Sequence, residues 1–179
     1  MKVIFLDIDG VLNYENSESK VEDEKVKLLK NIVDRTGAEI VLSSDWRYWL
    51  EDPDEDIKLL LSVLEKYGLK MFSSTPITKH GYRGAEIYQW LNEWQGEAVD
   101  RFVILDDNED MKTYIDKLVQ TDYECGLSYG NVEKAVKLLV CEYCEMGKPL
   151  IRFSRINKGK RDVKTYIGKN ADYLLEQGA

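Results

Sequence analysis

The amino-acid sequence predicts an α/β fold, a Rossmann-like three-layer sandwich with a mostly parallel central sheet. Two observations indicate this class. Short apolar runs, such as "VIFL" at residues 3–6, have the composition of strands that are buried on both faces. These runs alternate along the chain with segments whose apolar residues recur at helical spacing. Alternating strands and helices form parallel sheets, because each helix returns the chain to the starting edge of the sheet.

The first half of the chain contains three predicted strands and two predicted helices. Each helix shows apolar residues at helical spacing, and Gly37 and Gly68 follow the two helices at positions typical of a C-cap. In order, the elements are a strand at 3–6, a helix at 22–36, a strand at 38–44, a helix at 54–67 and a strand at 70–74.

The second half contributes two further strands and two further helices. The run "RFVILDD" is again continuously apolar before it ends in two acids, and "KLVQTD" predicts a short fifth strand. Asn131 is the predicted N-cap of the last helix. In order, the elements are a helix at 84–94, a strand at 101–107, a strand at 117–122 and a helix at 131–145.

The length of 179 residues suits one domain with a sizeable core. We expect that domain at residues 1–146, with a basic C-terminal extension at 147–179. The apolar runs are much shorter than the roughly 18 residues of a membrane span, so no membrane partner is expected. The sequence starts with strand-like residues, so no signal peptide is expected, and three cysteines do not form a disulfide framework. A cytoplasmic location follows as the expectation.

The charge is unevenly distributed along the chain. Residues 148–169 carry eight Lys or Arg and one Asp, a net charge of +7, within a chain whose total is −8. The remaining residues therefore carry −15. A basic segment on an acidic body binds nucleic acid or another acidic partner, or it is a tail that is solvated or docked on that body. The sequence leaves these alternatives open.

Polar side chains stand where three of the predicted strands end. Asp7 follows the first strand, Ser43 and Ser44 end the second, and Asp106 and Asp107 end the fourth. In a parallel sheet these ends meet at one edge, and ligands bind where the strand order reverses. We therefore expect these side chains to share one crevice.

Several carboxylates in one crevice repel each other unless a cation neutralises them. A set of oxygen ligands suits Mg²⁺, which favours phosphorylated substrates. An aspartate can attack phosphorus and form an aspartyl-phosphate that water then hydrolyses. A second acid two residues later, here Asp9, is placed to protonate the leaving oxygen and then to activate water.

The motifs that contain these acids resemble those of the haloacid dehalogenase (HAD) superfamily of phosphatases and phosphotransferases. The segment "FLDIDGVLN" resembles the first motif and implies Asp7 as nucleophile and Asp9 as general acid and base. The segment "EIVLSSDWR" resembles the second and implies that Ser43 hydrogen-bonds the phosphoryl group. The segment "FVILDDNED" resembles the fourth and implies Asp107 as metal ligand, supported by Asp106. The resemblance also implies metal ligation by the carboxylate of Asp7 and the backbone carbonyl of Asp9.

The third motif of the superfamily is a Lys or Arg that steadies the phosphoryl charge. Arg83, directly before "GAEIYQWL", is our choice, and Lys79 is the alternative. We expect Asp110 as a further acid in support of the metal site. Over about residues 1–140 the chain is similar to the HAD domains of Swiss Army Knife RNA-repair-type proteins.

Superfamily members often carry a cap domain after the first or the second motif. Between Gly10 and Ser43 this chain has room for one flap and one helix. Between Ser44 and Arg83 it has room for a helix and a strand. We therefore expect no large cap domain and an open site. An open site favours a bulky substrate, such as a nucleic acid end or a phosphoprotein, or a lid borrowed from a partner.

Three residues near the second motif allow more than one interpretation. Arg47 binds the substrate phosphate together with Ser44, or it forms an ion pair with an acidic neighbour. Trp46 and Trp49 are typical of packing or of the rim of a site more than of a base-stacking platform.

Two other features are interpreted as structural. His80, the single histidine, lies in a loop and is expected at the surface. Cys141 and Cys144 form a lone C-x₂-C, which supplies two of the four ligands that a structural zinc site needs. We expect two thiols near the end of a helix.

The resemblance thus implies a Mg²⁺-dependent phosphatase without a large cap. A phosphorylated end of RNA or DNA is the first expected substrate, and a small metabolite or nucleotide is the alternative. A non-enzyme alternative is a phosphate- or RNA-binding module tethered by its basic tail. The sequence does not indicate an oligomeric state.

Overall fold

Five short strands form a parallel sheet in the computed structural model, which describes residues 1–79 and 81–140. The strand order is β3-β2-β1-β4-β5, and every neighbouring pair is parallel. The predicted mostly parallel sheet is therefore confirmed, including the short fifth strand. The strands are β1 (Lys2–Leu6), β2 (Glu39–Leu42), β3 (Met71–Ser74), β4 (Arg101–Asp106) and β5 (Leu118–Gln120).

Four α-helices connect or follow these strands close to the predicted positions. They are α1 (Asp23–Thr36), α2 (Glu55–Lys66), α3 (Arg83–Glu93) and α4 (Tyr129–Val140). Two 3₁₀ helices, Asp45–Trp49 and Lys112–Lys117, were not predicted, because such short helices have no apolar period to reveal them. The predicted continuation of α4 to residue 145 lies outside the described residues.

The alternation of side chains along the central strand separates two cores. Ile4 and Leu6 pack with α1, α2 and α4, whereas Val3 and Phe5 pack with α3 on the other face of the sheet. The ring of Phe5 meets Trp90 of α3 edge to face, with the ring centroids 5.3 Å apart. Both faces of the sheet are thus covered, which explains the continuously apolar strands and confirms the three-layer sandwich.

The helix ends confirm one predicted cap and correct another. Gly37 adopts a left-handed conformation (φ +65°) and its N–H donates to the carbonyl of Val33. Asn131 is not the N-cap of α4. Ser128 occupies that position, and its hydroxyl accepts from the N–H of Asn131 while the Asn131 side chain accepts from the N–H of Ser128. This reciprocal pair has the arrangement of a capping box.

The order of the strands positions a crevice beside β1. From β1 the chain moves through β2 to β3 on one side and then crosses to β4 on the other. The strand order therefore reverses between β1 and β4, and their carboxyl ends border the crevice in which such folds bind ligands.

The segments that precede and follow the crevice contain no inserted domain within the described part of the chain. Turns connect β1 to α1, and residues 44–79 hold one 3₁₀ helix, α2, β3 and part of the loop that precedes α3. A large cap is therefore absent from residues 1–79 and 81–140, as expected. Within the same residues no helix is long and apolar enough to cross a membrane.

Several predictions concern residues outside the described ones. They are the surface position of His80, the pair Cys141 and Cys144, and the basic extension at 147–179 with its boundary at residue 146. These remain predictions.

Candidate active site

Asp7 occupies the first position beyond β1. Its backbone N–H donates to the carbonyl of Leu105 at 2.9 Å, which continues the pairing of β1 with β4 by one residue. The residue is buried. The sheet therefore fixes the backbone that carries this carboxylate, and the side chain stands at the edge where the crevice opens.

Asp106 and Asp107 bring two more carboxylates to the same place. Together with Asp7 they offer oxygen atoms that all lie within 4.8 Å of one another. Asp106 is fully buried: one of its oxygens accepts the N–H of Asn108 at 2.9 Å, and the other, Oδ2, has no hydrogen-bond partner among the described residues. The structure thus gathers the acids that the sequence placed at the ends of the first and fourth strands.

Arg83, the first residue of α3, is the cation that contacts this acidic cluster within the described residues. Its Nη2 lies 3.7 Å from Oδ1 of Asp7, and its Nε lies 3.4 Å from Oδ2 of Asp106. Its Nη1 donates to the backbone carbonyl of Ser43. Arg83, the sequence-based choice for the phosphate-steadying cation, therefore lies at the acidic cluster, whereas its alternative Lys79 is exposed.

Burial and mutual repulsion make two of these acids weak. Burial raises the pKa of Asp7 to about 6, opposed by the charge of Arg83 and by a hydrogen bond from the Ser44 hydroxyl. Burial also raises the pKa of Asp106 to about 7, and the negative charge of Asp7 adds to that increase. One guanidinium does not balance three neighbouring carboxylates.

The donor set fits a divalent cation with oxygen ligands. Three carboxylates converge, and a buried oxygen of Asp106 lacks a hydrogen bond, so a cation at this place would remove an unfavourable burial of charge. Hard oxygen donors of this kind suit Mg²⁺. Asp110, the further acid that the sequence suggested, contributes its backbone carbonyl to the N–H of Gly84 at 3.2 Å.

Asp9 is exposed and is held by two side chains that the sequence did not single out for this task. Oδ1 accepts from Nδ2 of Asn13 at 2.8 Å, and Oδ2 accepts from the indole N–H of Trp46 at 2.9 Å. Trp46 is itself nearly buried in the core, as the packing interpretation expected. The carboxylate of Asp9 is therefore oriented at the rim of the crevice and remains in contact with solvent.

Gly10 allows the loop after Asp9 to pass close to the acidic cluster. Its φ of +69° lies in the left-handed region, and a Cβ atom there would stand 2.8 Å from Cγ of Asp107. Its carbonyl accepts from the hydroxyl of Thr121 at 2.7 Å. Glycine is required both by the conformation and by the approach to Asp107.

The two serines after β2 have different surroundings. Ser43 is fully buried, and its hydroxyl has no hydrogen-bond partner among the described residues, so it is available for the predicted bond to a phosphoryl group. Ser44 was predicted to bind substrate. Its hydroxyl instead bonds Asp7 and accepts from the N–H of Trp46 at 3.4 Å, so it orients the site.

Arg47 corrects a prediction, because it faces the interior and not the substrate. Its side chain is 2% exposed and pairs with Glu86 of α3, which is 1% exposed, at an N–O distance of 2.5 Å. Its other terminal nitrogen donates to the carbonyl of Ser44 at 2.6 Å. The sequence left a phosphate contact and an ion pair as alternatives, and the structure shows the ion pair. The 3₁₀ helix turns the side chain inward, which residue spacing alone does not reveal.

The pair of Arg47 and Glu86 joins three segments around the crevice. Besides Arg47, Glu86 accepts the backbone N–H of Thr78 at 3.1 Å. The turn with Ser44, the loop before α3 and α3 itself are therefore tied together. Because α3 carries Arg83 and the turn carries the bond to Asp7, the ion pair holds the two sides of the site in register.

We expect that breaking this buried pair is costly, whereas replacing both charges is not. Arg47→Ala leaves Glu86 buried without its partner and should lower the free energy of unfolding by about 3–5 kcal/mol. The double variant Arg47→Met, Glu86→Leu should recover most of that loss. Urea unfolding measures both.

Lys30→Ala, which breaks an exposed pair with Asp34, is the matched control and should cost at most about 1 kcal/mol. An Arg47→Ala loss as small as that of the control would contradict the role given to the buried pair.

The raised pKa values predict that the metal-free protein loses stability as the pH rises. A carboxyl whose pKa is higher in the folded state binds more protons when folded, so its protonation favours folding. This contribution to the free energy of unfolding is complete below the ordinary pKa of 3.8. It is lost as the pH rises toward about 6 for Asp7 and about 7 for Asp106. In EDTA, the unfolding free energy of Asp106→Asn should be close to that of the wild type near pH 3.8 and should exceed it by a growing amount up to about pH 7. A difference in unfolding free energy between the two proteins that stays constant with pH would contradict the raised pKa of Asp106.

Comparison with known proteins adds one match. No curated protein and no solved structure matches the chain significantly. The family described as the HAD domain in Swiss Army Knife RNA repair proteins matches residues 3–132. That range contains the acidic cluster, Arg83 and both serines, and it covers most of the chain. The chain therefore belongs to this family of HAD domains.

Proposed function

We propose that this protein is a Mg²⁺-dependent phosphoric monoester hydrolase in which Asp7 accepts the phosphoryl group. The family indicates a phosphatase-type hydrolase in general terms. The observation that supports the finer proposal is the position of Asp7, which lies 3.7 Å from Arg83 and shares a cluster with Asp106 and Asp107. A nucleophile, a fixed positive charge and oxygen ligands thus stand together.

The reaction proceeds in two steps that use the same two acids. A carboxylate oxygen of Asp7 forms a bond to phosphorus while the bond from phosphorus to the ester oxygen breaks, and Asp9 donates a proton to that leaving oxygen. Asp9 then accepts a proton from water as the water oxygen attacks the phosphorus. The aspartyl-phosphate breaks, inorganic phosphate leaves and the carboxylate of Asp7 is restored.

The remaining residues orient the phosphoryl group and the nucleophile. The Arg83 guanidinium faces the charge that develops on the phosphoryl oxygens, and the unpaired hydroxyl of Ser43 donates to one of them. When bound, Mg²⁺ neutralises the charge of the phosphoryl group, and the carboxylates of Asp7 and Asp107 with the carbonyl of Asp9 would hold it, supported by Asp106. Asn13 and Trp46 keep the carboxylate of Asp9 in position for proton transfer.

The end of a nucleic acid strand is the substrate that we infer. The printed description of the family refers to RNA repair proteins, and the crevice has no large cap in the described part of the chain. The basic segment at 148–169 also suits a nucleic acid partner. An open crevice admits a phosphate that projects from a large molecule.

Asp7→Asn tests the nucleophile directly. With Mg²⁺ and a generic aryl phosphate, the variant should lose at least about a thousandfold in kcat, because the amide cannot form the acyl phosphate. Asp34→Asn, which removes an exposed acid of α1 that pairs with Lys30, is the matched control and should keep full activity. Steady-state kinetics measure kcat for both variants, and undiminished turnover by Asp7→Asn would contradict the role of Asp7 as nucleophile.

A further inference from the structure

A second concave surface runs along the exposed side of α3, outside the acidic crevice. It is an open cleft with a volume of about 630 Å³. No catalytic role given above uses its side chains. The residues that line it are Thr78, Tyr82, Ala85, Tyr88, Gln89, Asn92, Glu93 and Lys112.

The walls of this cleft, which we call the α3 cleft, are fixed to each other. Gly84 of α3 lies so close to Met111 that an added Cβ atom would stand 2.6 Å from the Met111 carbonyl oxygen. The N–H of Gly84 also donates to the carbonyl of Asp110. At the near end, the N–H of Thr78 donates to buried Glu86. The cleft is therefore part of the packed structure.

The α3 cleft begins next to the phosphoryl site. Tyr82, at its near end, directly precedes Arg83, and consecutive Cα atoms are about 3.8 Å apart. The opposite wall, at Lys112, continues the loop that carries Asp106 and Asp107. The near end of the cleft is thus one residue along the chain from Arg83, the residue that contacts the acidic cluster.

The side chains of the α3 cleft combine aromatic faces, amides, the Lys112 ammonium group and the Glu93 carboxylate. Tyr82 is 46% exposed and Tyr88 is 58% exposed, and the Lys112 ammonium lies 4.0 Å from the centre of the Tyr82 ring. Lys112 adopts a φ of +48°, a left-handed conformation that is uncommon for a non-glycine residue and that occurs at functional sites. The amide nitrogens of Gln89 and Asn92 donate to Glu93 and to the Tyr88 carbonyl, and their amide oxygens can accept hydrogen bonds from the edge of a base.

The net charge of the protein indicates whether electrostatic attraction or base stacking would dominate the binding of a nucleic acid in this cleft. The chain carries −8, so the general field does not attract a polyanion. Stacking on exposed aromatic rings requires no such field, and every nucleobase has a face that stacks. Two exposed tyrosines with a neighbouring lysine therefore suit a nucleotide better than a long charged backbone.

We propose that the α3 cleft binds the nucleotide next to the phosphorylated end of a single-stranded nucleic acid, with its base stacked on Tyr88. This proposal rests on the proposed function, because the terminal phosphate bound in the acidic crevice determines which nucleotide lies in the α3 cleft. Lys112 lies near the adjoining backbone phosphate. The helix α3 has 11 residues and is about 16 Å long, which limits the cleft to roughly two nucleotides.

Binding of a fluorescent, terminally phosphorylated oligonucleotide tests the proposal without relying on turnover. Fluorescence anisotropy is measured on the full chain with Mg²⁺, in an Asp7→Asn background that prevents hydrolysis. Tyr88→Ala should raise Kd about tenfold, the size that loss of one base stack produces, and Tyr88→Phe should restore binding. Tyr129→Ala, which removes a 78% exposed tyrosine from α4 on the other face of the sheet, is the matched control.

Several outcomes would overturn the proposal. These are an unchanged Kd in Tyr88→Ala, an equal loss in Tyr129→Ala, or a loss in Trp49→Ala with none in Tyr88→Ala. A phosphopeptide whose binding depends on Tyr88, while the oligonucleotide's does not, would assign the cleft to protein substrates instead. The terminal phosphate is placed at the 5′ end and at the 3′ end in turn, with the fluorescent label at the opposite end, to show which phosphorylated end is bound.

The failure of the proposed function is separable from the failure of this proposal. A wild-type protein that does not hydrolyse an aryl phosphate with Mg²⁺ would contradict the proposed function. The anisotropy comparison of Tyr88→Ala with Tyr88→Phe would still decide whether the α3 cleft binds a base.

Discussion

The organisation of the molecule follows from the crowding of three carboxylates at one edge of its sheet. Asp7, Asp106 and Asp107 place oxygen atoms within 4.8 Å of one another, and two of the three residues are buried. Burial raises the pKa of Asp7 to about 6 and that of Asp106 to about 7. Such a cluster persists in a folded protein only when the rest of the structure holds it together and a positive charge offsets it. Arg83 supplies part of that charge, and the remainder suits a divalent cation.

The surrounding fold can be understood as support for this cluster. Pairing of β1 with β4 fixes Asp7 beside Asp106, and Gly10 lets the next loop pass over Asp107. The buried pair of Arg47 and Glu86 connects the turn after β2 to α3. A buried ion pair is weak evidence for stability but suits the task of holding elements in one register. In this protein it aligns the helix that carries Arg83 with the turn that bonds Asp7, so the energetic cost of burying it serves the geometry of the site.

The sequence predicted the parts of the site that depend on strand order, and it missed the parts that depend on packing. Asp7 and Asp106 follow continuously apolar strands, and parallel strands bring their ends together whatever the details of the helices. The bond from Trp46 to Asp9 joins residues 37 positions apart, and the inward turn of Arg47 depends on an unpredicted 3₁₀ helix. The N-cap of α4 was placed at Asn131, although Ser128 three residues earlier is also a favoured N-cap residue type.

The central claim is that the acidic cluster holds Mg²⁺ so that Asp7 can accept a phosphoryl group. A crystal structure of the protein with Mg²⁺ and beryllium fluoride, a mimic of the phosphoryl group, tests this most directly. We expect the beryllium to be bonded to a carboxylate oxygen of Asp7, with Arg83 beside its fluorides and Mg²⁺ bound by Asp7 and Asp107. Beryllium fluoride on another residue, or Mg²⁺ bound away from these carboxylates, would contradict the account.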